Sequence, residues 1–419
     1  MTQAPAIDDP EPHMHILECS GCGLRHEIGA LPPGYLVRCR RCGGPLLNIP
    51  FNSLQRTLAL AITGLVLVLI ANTMPFISFN IGGRIQATNM ITGALVMTDQ
   101  GLWPLAAVVL LTTLVAPVLK LGAICYVLLG LRALRPPHDL PLIFRWLEFL
   151  HPWSMIEVYL LGILVAYVKL SAIASLEIGV ACYALALLMV VMVAIDFVLS
   201  PEVVWRKMEE RGLIKRPVIA DRSHLVLCET CDLVAPIDGH GAACPRCGSQ
   251  RHFRKRESLT RSWALVITAA ILYLPANMLP ILTVISFGRG EPDTILSGIK
   301  GLFLAGMWPL ALLVFFASIT VPFLKIGGLV LLLITTQRRS RWRLRDRTLL
   351  YRIVESIGRW SMIDIFMLSI LAGLVRLGSI ATIEPGVGAI SFAAVIITTM
   401  FAASAFDPRL MWDAAGENR

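Results

Sequence analysis

Residues 57–83 carry no charged side chain, and neither do residues 262–288, which lie 205 positions further on. Two more charge-free runs cover 178–195 and 385–406, and segments 100–131 and 301–337 hold one charge each, Lys120 and Lys325. A helix needs roughly 20 apolar residues to cross a hydrocarbon layer about 30 Å thick, and inside that layer it satisfies its own backbone polar groups. Six such segments constrain the chain to an all-α, polytopic membrane fold. The composition agrees, with 56% hydrophobic and 16% charged residues, against about a quarter charged in soluble domains.

The stretches 158–168 and 365–375 are shorter, 11 charge-free residues each, or roughly 16 Å of helix. They span only if Glu157 and Asp364 lie within the membrane. With them the count is eight helices, four per half, and an even number per half returns the chain to its starting side. Placing the N-terminus in the cytoplasm assigns 30 of the 37 Lys and Arg to cytoplasmic segments and five to external ones. The positive-inside rule therefore sets the expected orientation, with both termini cytoplasmic. The net charge of +9 calls for no nucleic-acid partner. The run Arg338, Arg339, Arg341, Arg343, Arg345 and Arg347 follows a membrane helix directly, where it meets anionic headgroups. The first 50 residues show no apolar core of a cleavable signal peptide.

The chain repeats itself in detail. Trp103-Pro104-Leu105-Ala106 recurs as Trp308-Pro309-Leu310-Ala311, and Trp153-Ser154-Met155-Ile156-Glu157 recurs as Trp360-Ser361-Met362-Ile363-Asp364. The expected organisation is a disordered tail (1–15), a first zinc ribbon (16–50), a first bundle (51–205), a charged linker (206–222), a second ribbon (223–256), a second bundle (257–412) and a tail (413–419). The two repeats are parallel. Ile77–Ile81 with Gly82-Gly83, and Val284–Gly288 in the second half, predict a small external β-hairpin on each bundle.

Eight of the ten cysteines form CxxC pairs: Cys19/Cys22 with Cys39/Cys42, and Cys228/Cys231 with Cys244/Cys247. Two thiolate pairs at this separation suit one tetrahedral Zn²⁺, giving two structural zinc ions, though spacing alone leaves iron–sulfur open. Gly23, Gly43 and Gly248 follow second cysteines and fit the tight turn that aims both sulfurs at the metal. Four-thiolate sites are closed, so a folding or docking role is favoured over catalysis. A thiol-redox enzyme is the competing reading, and a reducing cytosol argues against disulfides. Cys125 and Cys182 are expected as small buried hydrophobes.

Intramembrane charges are costly and mark function by default. Lys120 and Lys325 each follow a proline, Pro117 or Pro322, by three residues, which predicts a kink beside a buried ammonium. Ser318 shares the face of Lys325, and Ser361 that of Asp364. With Thr399 on the fourth helix they form a candidate proton-linked polar network. The first-repeat equivalents are Thr113, Lys120, Ser154 and Glu157, with Val191 and Met192 at the positions of Thr398 and Thr399, so the second bundle holds the fuller hydroxyl set. The alternative is a structural Lys–acid pair. Asn72 and Asn277 are expected to cap or bond across helices, and Lys169 and Arg376 to reach the outer headgroups.

Together these residues resemble the paraquat-inducible protein A family, which includes the lipophilic envelope-spanning tunnel A proteins. The resemblance rests on the paired CxxC modules, Ala71-Asn72-Thr73-Met74-Pro75 and Ala276-Asn277-Met278-Leu279-Pro280, the Trp-Pro and Trp-Ser-Met-Ile-acid motifs, and Phe406-Asp407-Pro408. It implies a Gram-negative inner-membrane protein that is not an enzyme. It also implies work with a periplasmic mammalian-cell-entry domain tunnel protein, passing phospholipid between membranes. No GxxxxGK[ST] loop is present, so proton motive force is the expected energy source. A membrane scaffold that anchors the tunnel without transporting is the alternative.

Overall fold

The protein is described by a computed structural model over residues 15–29, 32, 34–81, 84–171, 175–214, 225–236, 243–286, 289–374 and 381–416. The expected tail before residue 15, the Gly82-Gly83 turn, most of the linker after residue 214 and Arg376 lie outside these residues. Strands β1 (His15–Glu18), β2 (Arg25–Ile28), β3 (Leu36–Arg38) and β4 (Pro45–Asn48) build the first cysteine module as two hairpins. The first half continues through helices α1 (Ser53–Thr73), α2 (Met90–Asp99), α3 (Trp103–Gly130), α4 (Leu140–Leu150), α5 (Ile156–Ser171), α6 (Val180–Val198) and α7 (Pro201–Glu210). After the second cysteine module the same order returns as α8 (Ser258–Met278), α9 (Ile295–Leu304), α10 (Trp308–Gln337), α11 (Leu344–Ile357), α12 (Ile363–Leu374), α13 (Val387–Ala405) and α14 (Arg409–Ala414).

Seven helical segments among the described residues are long and apolar enough to cross a membrane. They are α1, α3, α6, α8, α10, α13 and the stretch Leu140–Val168, which joins α4 to α5 through one tight turn at Pro152. The eighth expected span is described as α12, 12 residues long. Glu157 and Asp364 each fall in the first turn of their helix, where the unsatisfied amides favour a carboxylate.

The proline kinks take a specific form. α3 and α10 each contain one π-helical turn, Leu111–Val115 and Phe316–Thr320, immediately before the proline-bearing segment. Ala116 N–H reaches back to Leu111 O, and Val321 N–H to Phe316 O. The widened turn absorbs the donor that proline lacks.

α1 packs along α6, and α8 along α13, through small residues, with Ala61, Gly64 and Ala71 on α1 and Ala269 and Ala276 on α8. Small side chains let helix backbones approach where water supplies no driving force. Hydroxyls tie the ribbon-side ends: Ser53 donates to Val198 O at 2.7 Å and Ser258 to Ala405 O at 2.9 Å. At the opposite end the expected hairpins are three-stranded antiparallel sheets. β5 (Ile77–Ile81) is the centre between β6 (Arg84–Thr88) and β7 (Ser175–Ile178). β10 (Leu282–Ser286) sits likewise between β11 (Arg289–Asp293) and β12 (Ala381–Pro385). The third strand of each sheet comes from the loop between third and fourth spans, where four or five residues carry too little pattern to read.

The halves meet where α5 packs on α12, with Tyr159 edge-on to Phe366 at 5.6 Å. The meeting is lopsided. Gly93 on α2 presses against the Ser369 backbone of α12, leaving no room for a Cβ, while Gly298, its equivalent on α9, meets nothing. Both cysteine modules lie at one end of the bundles and touch: Arg25 donates to Leu225 O at 2.7 Å, and Ile16 packs on Leu225 and Leu227 of β8 (Leu225–Leu227). That strand pairs with β9 (Val234–Pro236) in the second module.

The modules are crossed relative to the sequence. Cys19, Cys22 and Cys39 share a buried cluster with Leu329, Val354 and Phe406 of the second bundle. The second module packs under the first bundle, where α7 buries Trp205 and Met208. α7 thus carries helical structure across the expected bundle–linker boundary at 205/206, because its apolar face has a module to bury against.

Candidate functional site

Each cysteine quartet brings its four Sγ atoms within 4.8 Å of one another. Cross-pair sulfurs lie 3.5 Å apart in the first quartet (Cys19 to Cys42, Cys22 to Cys39) and 3.6 Å in the second (Cys228 to Cys247, Cys231 to Cys244). A tetrahedral Zn–S centre with bonds near 2.3 Å has sulfur–sulfur edges of about 3.8 Å, so both quartets fit a four-coordinate metal ion. The donor set does not name the metal. The fit comes from local turns. Gly23, Gly43 and Gly248 take φ of 71°, 71° and 72°, and Asp232 takes the fourth such place at 54°. In each turn the residue after the second cysteine returns its amide to the first, as Gly43 N–H does to Cys39 O at 2.9 Å.

The crossing of modules and bundles is held by equivalent arginines. Arg352 on α11 donates to Cys42 O at 3.4 Å and to Cys42 Sγ at 3.1 Å. Arg145 on α4 donates to Cys247 O at 3.2 Å. Gly44 admits the Arg352 guanidinium where a Cβ would collide with it. The charges around them are inverted between halves. Arg246 of the second module is bound by Glu202 at 2.8 Å and Glu209 at 2.9 Å on α7. Burial alone would lower the Arg246 guanidinium, yet these two carboxylates, Glu202 foremost, hold it above its ordinary range. Where the first half has Glu202 the second has Arg409, buried and bonded to Asp407 at 3.0 Å and Glu229 at 2.7 Å, with Glu18 of the first module at 3.7 Å. One guanidinium therefore joins a bundle to both modules.

The membrane lysines are both buried and reach different partners. Lys325 Nζ donates to Thr399 Oγ1 at 2.8 Å. Lys120 Nζ donates to Asp196 Oδ1 at 2.6 Å and lies 3.3 Å from His151 Nδ1. The second half carries Gly358 and Ala403 at the places of His151 and Asp196, and the first carries Met192 at the place of Thr399. Asp196 sits one helical turn beyond Met192, so each lysine reaches a polar group on the last long helix of its half, Asp196 on α6 or Thr399 on α13. The sequence pattern does not single out His151 or Asp196; the signal it carries is that Asp196 ends the charge-free run 178–195.

The five second-half residues occupy two places. Lys325 and Thr399 meet beside Gly358. Asp364 and Ser318 line a small cavity of about 40 Å³ with Val165, Gly298 and Ile299, formed where α9 stands off from α5. Ser361 is buried, and neither its hydroxyl nor that of Ser318 finds a partner among the described residues. Such a volume admits a water, which would satisfy the Ser318 hydroxyl. In the first half Thr113 donates to Val109 O at 2.7 Å, and the buried Ser154 hydroxyl has no partner among the described residues. Glu157 lines a larger and almost wholly apolar cavity of about 430 Å³ between α5 and α6, with Leu160, Leu164 and Met189. Asn72 and Asn277 donate to carbonyls of their own helices, Val68 O and Tyr273 O, and to no other helix among the described residues.

Against known proteins, the profile of the family described as paraquat-inducible protein A matches residues 54–209 and again 259–416. The intermembrane transport protein PqiA of Escherichia coli is 35% identical over 408 residues, covering 96% of this chain and 97% of that protein. The lipophilic envelope-spanning tunnel protein A of the same organism is 33% identical over 98% of this chain and 94% of its own length. A probable intermembrane transport protein of Haemophilus influenzae is 27% identical over 96% of each. No solved structure matches.

Proposed function

The chain belongs to the paraquat-inducible protein A family, and from that membership we propose that it is the inner-membrane component of a lipid transport system. It passes phospholipid to or from a periplasmic mammalian-cell-entry domain tunnel protein. In this reading the two parallel repeats have eight spans, both ribbons hold zinc in the cytoplasm, and the two β-sheets face the tunnel. The observation that carries the reading is end-to-end similarity to intermembrane transport proteins combined with ionisable side chains buried inside the bundles beside open cavities. The 430 Å³ apolar cavity beside Glu157 is of a size and lining that takes part of an acyl chain. Lys325 beside Thr399, and Asp364 beside Ser318 with Ser361 buried nearby in sequence, couple proton movement to conformation, since a proton gained or lost at either ionisable group changes the cost of burying it.

Reconstituted chain and tunnel partner should transfer labelled phospholipid to acceptor vesicles faster under an imposed proton gradient. Lys325→Ala should remove that dependence and slow transfer by about tenfold or more. An unchanged rate with unchanged proton dependence would sink the coupling. The scaffold reading, favoured by the Arg409 hub between bundle and ribbons, predicts instead that only ribbon variants abolish assembly and transfer.

A further inference from the structure

α10 ends at Gln337 and runs into a loop carrying Arg338, Arg339, Arg341 and Arg343. Two backbone bonds close the helix: Arg339 N–H to Thr336 O at 3.1 Å and Ser340 N–H to Thr335 O at 3.0 Å. They force Arg339 into the left-handed region, at φ 49°. Glycine is the usual occupant of that place because it has no Cβ to clash. Three other helix ends in this chain carry the same pair of bonds and use Gly101, Gly212 and Gly306. Arg343, which opens α11, is also left-handed, at φ 42°. Arginine in glycine's place gains the loop nothing, so its value lies in where the guanidinium goes.

Arg339 is exposed, and among the described residues no hydrogen bond or ion pair engages its side chain. With Arg341 it rims a crevice of about 760 Å³ whose floor is Leu259, Thr336, Leu410 and Ala414. Arg341 is fixed there by its Nε, which donates to Ala415 O at 3.0 Å. The acidic group in the crevice, Asp413, is already bound by Arg254 at 2.6 and 3.0 Å. Leu259 belongs to the first turn of one span and Thr336 to the last turn of another, which sets the crevice at headgroup depth. Trp342, 59% exposed and 5.6 Å from the Arg343 guanidinium, is the side chain that settles at that interface. Guanidinium forks bind phosphate oxygens bidentately, and an apolar floor accepts glycerol and proximal acyl carbons.

We propose that this crevice between α8, α10 and α14 binds the headgroup of an anionic phospholipid of the ribbon-side leaflet, through Arg339 and Arg341. The proposal rests on the chain spanning a membrane and not on the transport reading. The equivalent loop of the first half carries Arg132 and Arg135 followed by Pro136-Pro137, so one tightly held lipid per chain is expected.

The full chain is assembled in nanodiscs of phosphatidylcholine with a minor fraction of phosphatidylglycerol, released into detergent and weighed intact with its retained lipid. The wild type should keep phosphatidylglycerol in several-fold excess over its share of the mixture. Arg339→Gly relieves the left-handed strain, so it should melt no lower than wild type while losing that excess. Arg341→Gln should lose it as well, and Arg345→Gln, outside the crevice, should keep it. Retained lipid mirroring the mixture overturns the proposal. So does wild-type retention by Arg339→Gly, or an equal loss in Arg345→Gln, which would mean diffuse charge. Displacement of the lipid by millimolar inorganic phosphate would make the crevice a free-phosphate site and equally overturn it.

Discussion

Lys120 and Lys325 stand at equivalent places and meet different chemistry, one a carboxylate and the other a hydroxyl. The lysines were legible because a lone charge in an apolar run is conspicuous. Their partners were not, because a run that is apolar all round gives no rotation for the fourth span, and rotation decides which residue faces the lysine. The hydroxyl set read from sequence as fuller in the second bundle is matched in the first by Asp196 and His151. Asp196→Asn should leave the Lys120 ammonium, whose side chain is 4% exposed, without its counter-charge. Breaking a buried pair costs about 3–5 kcal/mol, and since Asp196 is 37% exposed the loss here should be about 1–3 kcal/mol. Scanning fluorimetry in detergent should show the lower melting temperature; an unchanged one would mean that solvent already screens the pair.

At the scale of elements, the informative contact is between an amphipathic helix of one half and the cysteine module of the other. Arg352 grips Cys42 through both its carbonyl and its sulfur. Groups that hydrogen-bond metal ligands commonly change metal retention by 10- to 100-fold when removed. Arg352→Met should therefore release metal from the first quartet at lower chelator concentration, taking the chain from two bound equivalents to one while the second quartet holds. Loss of both equivalents together would show that the quartets do not behave as separate sites. α4 and α11 were not read as separate helices, because each runs on into a membrane segment with one tight turn between.

The whole molecule is laced crosswise, with each module under the bundle that it does not precede in sequence. Breaking the N-terminal module should then be felt at a distance. A chain lacking residues 1–50 should expose α11 and α14 of the second bundle to limited proteolysis, while α4 and α7 of the first stay protected. Cleavage confined to the first bundle would contradict the crossed arrangement. The two module–bundle junctions lie side by side, and Arg409, in the place of Glu202, ties the second bundle to both modules.

The amino-acid sequence by itself determined the apolar spans, the two four-thiolate sets, the positions of the lysines and acids among the spans, and the family. All of these depend on composition or on spacings of a few residues, which short-range geometry converts directly into helices and metal-binding turns. The tertiary structure alone decided which bundle each module serves, which polar group each lysine reaches, and that Asp364 faces a cavity with Ser318 while Lys325 turns to Thr399. Those choices join residues tens to hundreds of positions apart, from Arg145 with Cys247 to Arg352 with Cys42. They are settled by helix rotation and by the packing of two near-equal halves, where small differences such as Gly93 pressed on Ser369 against an open Gly298 break the equivalence that the repeat suggests.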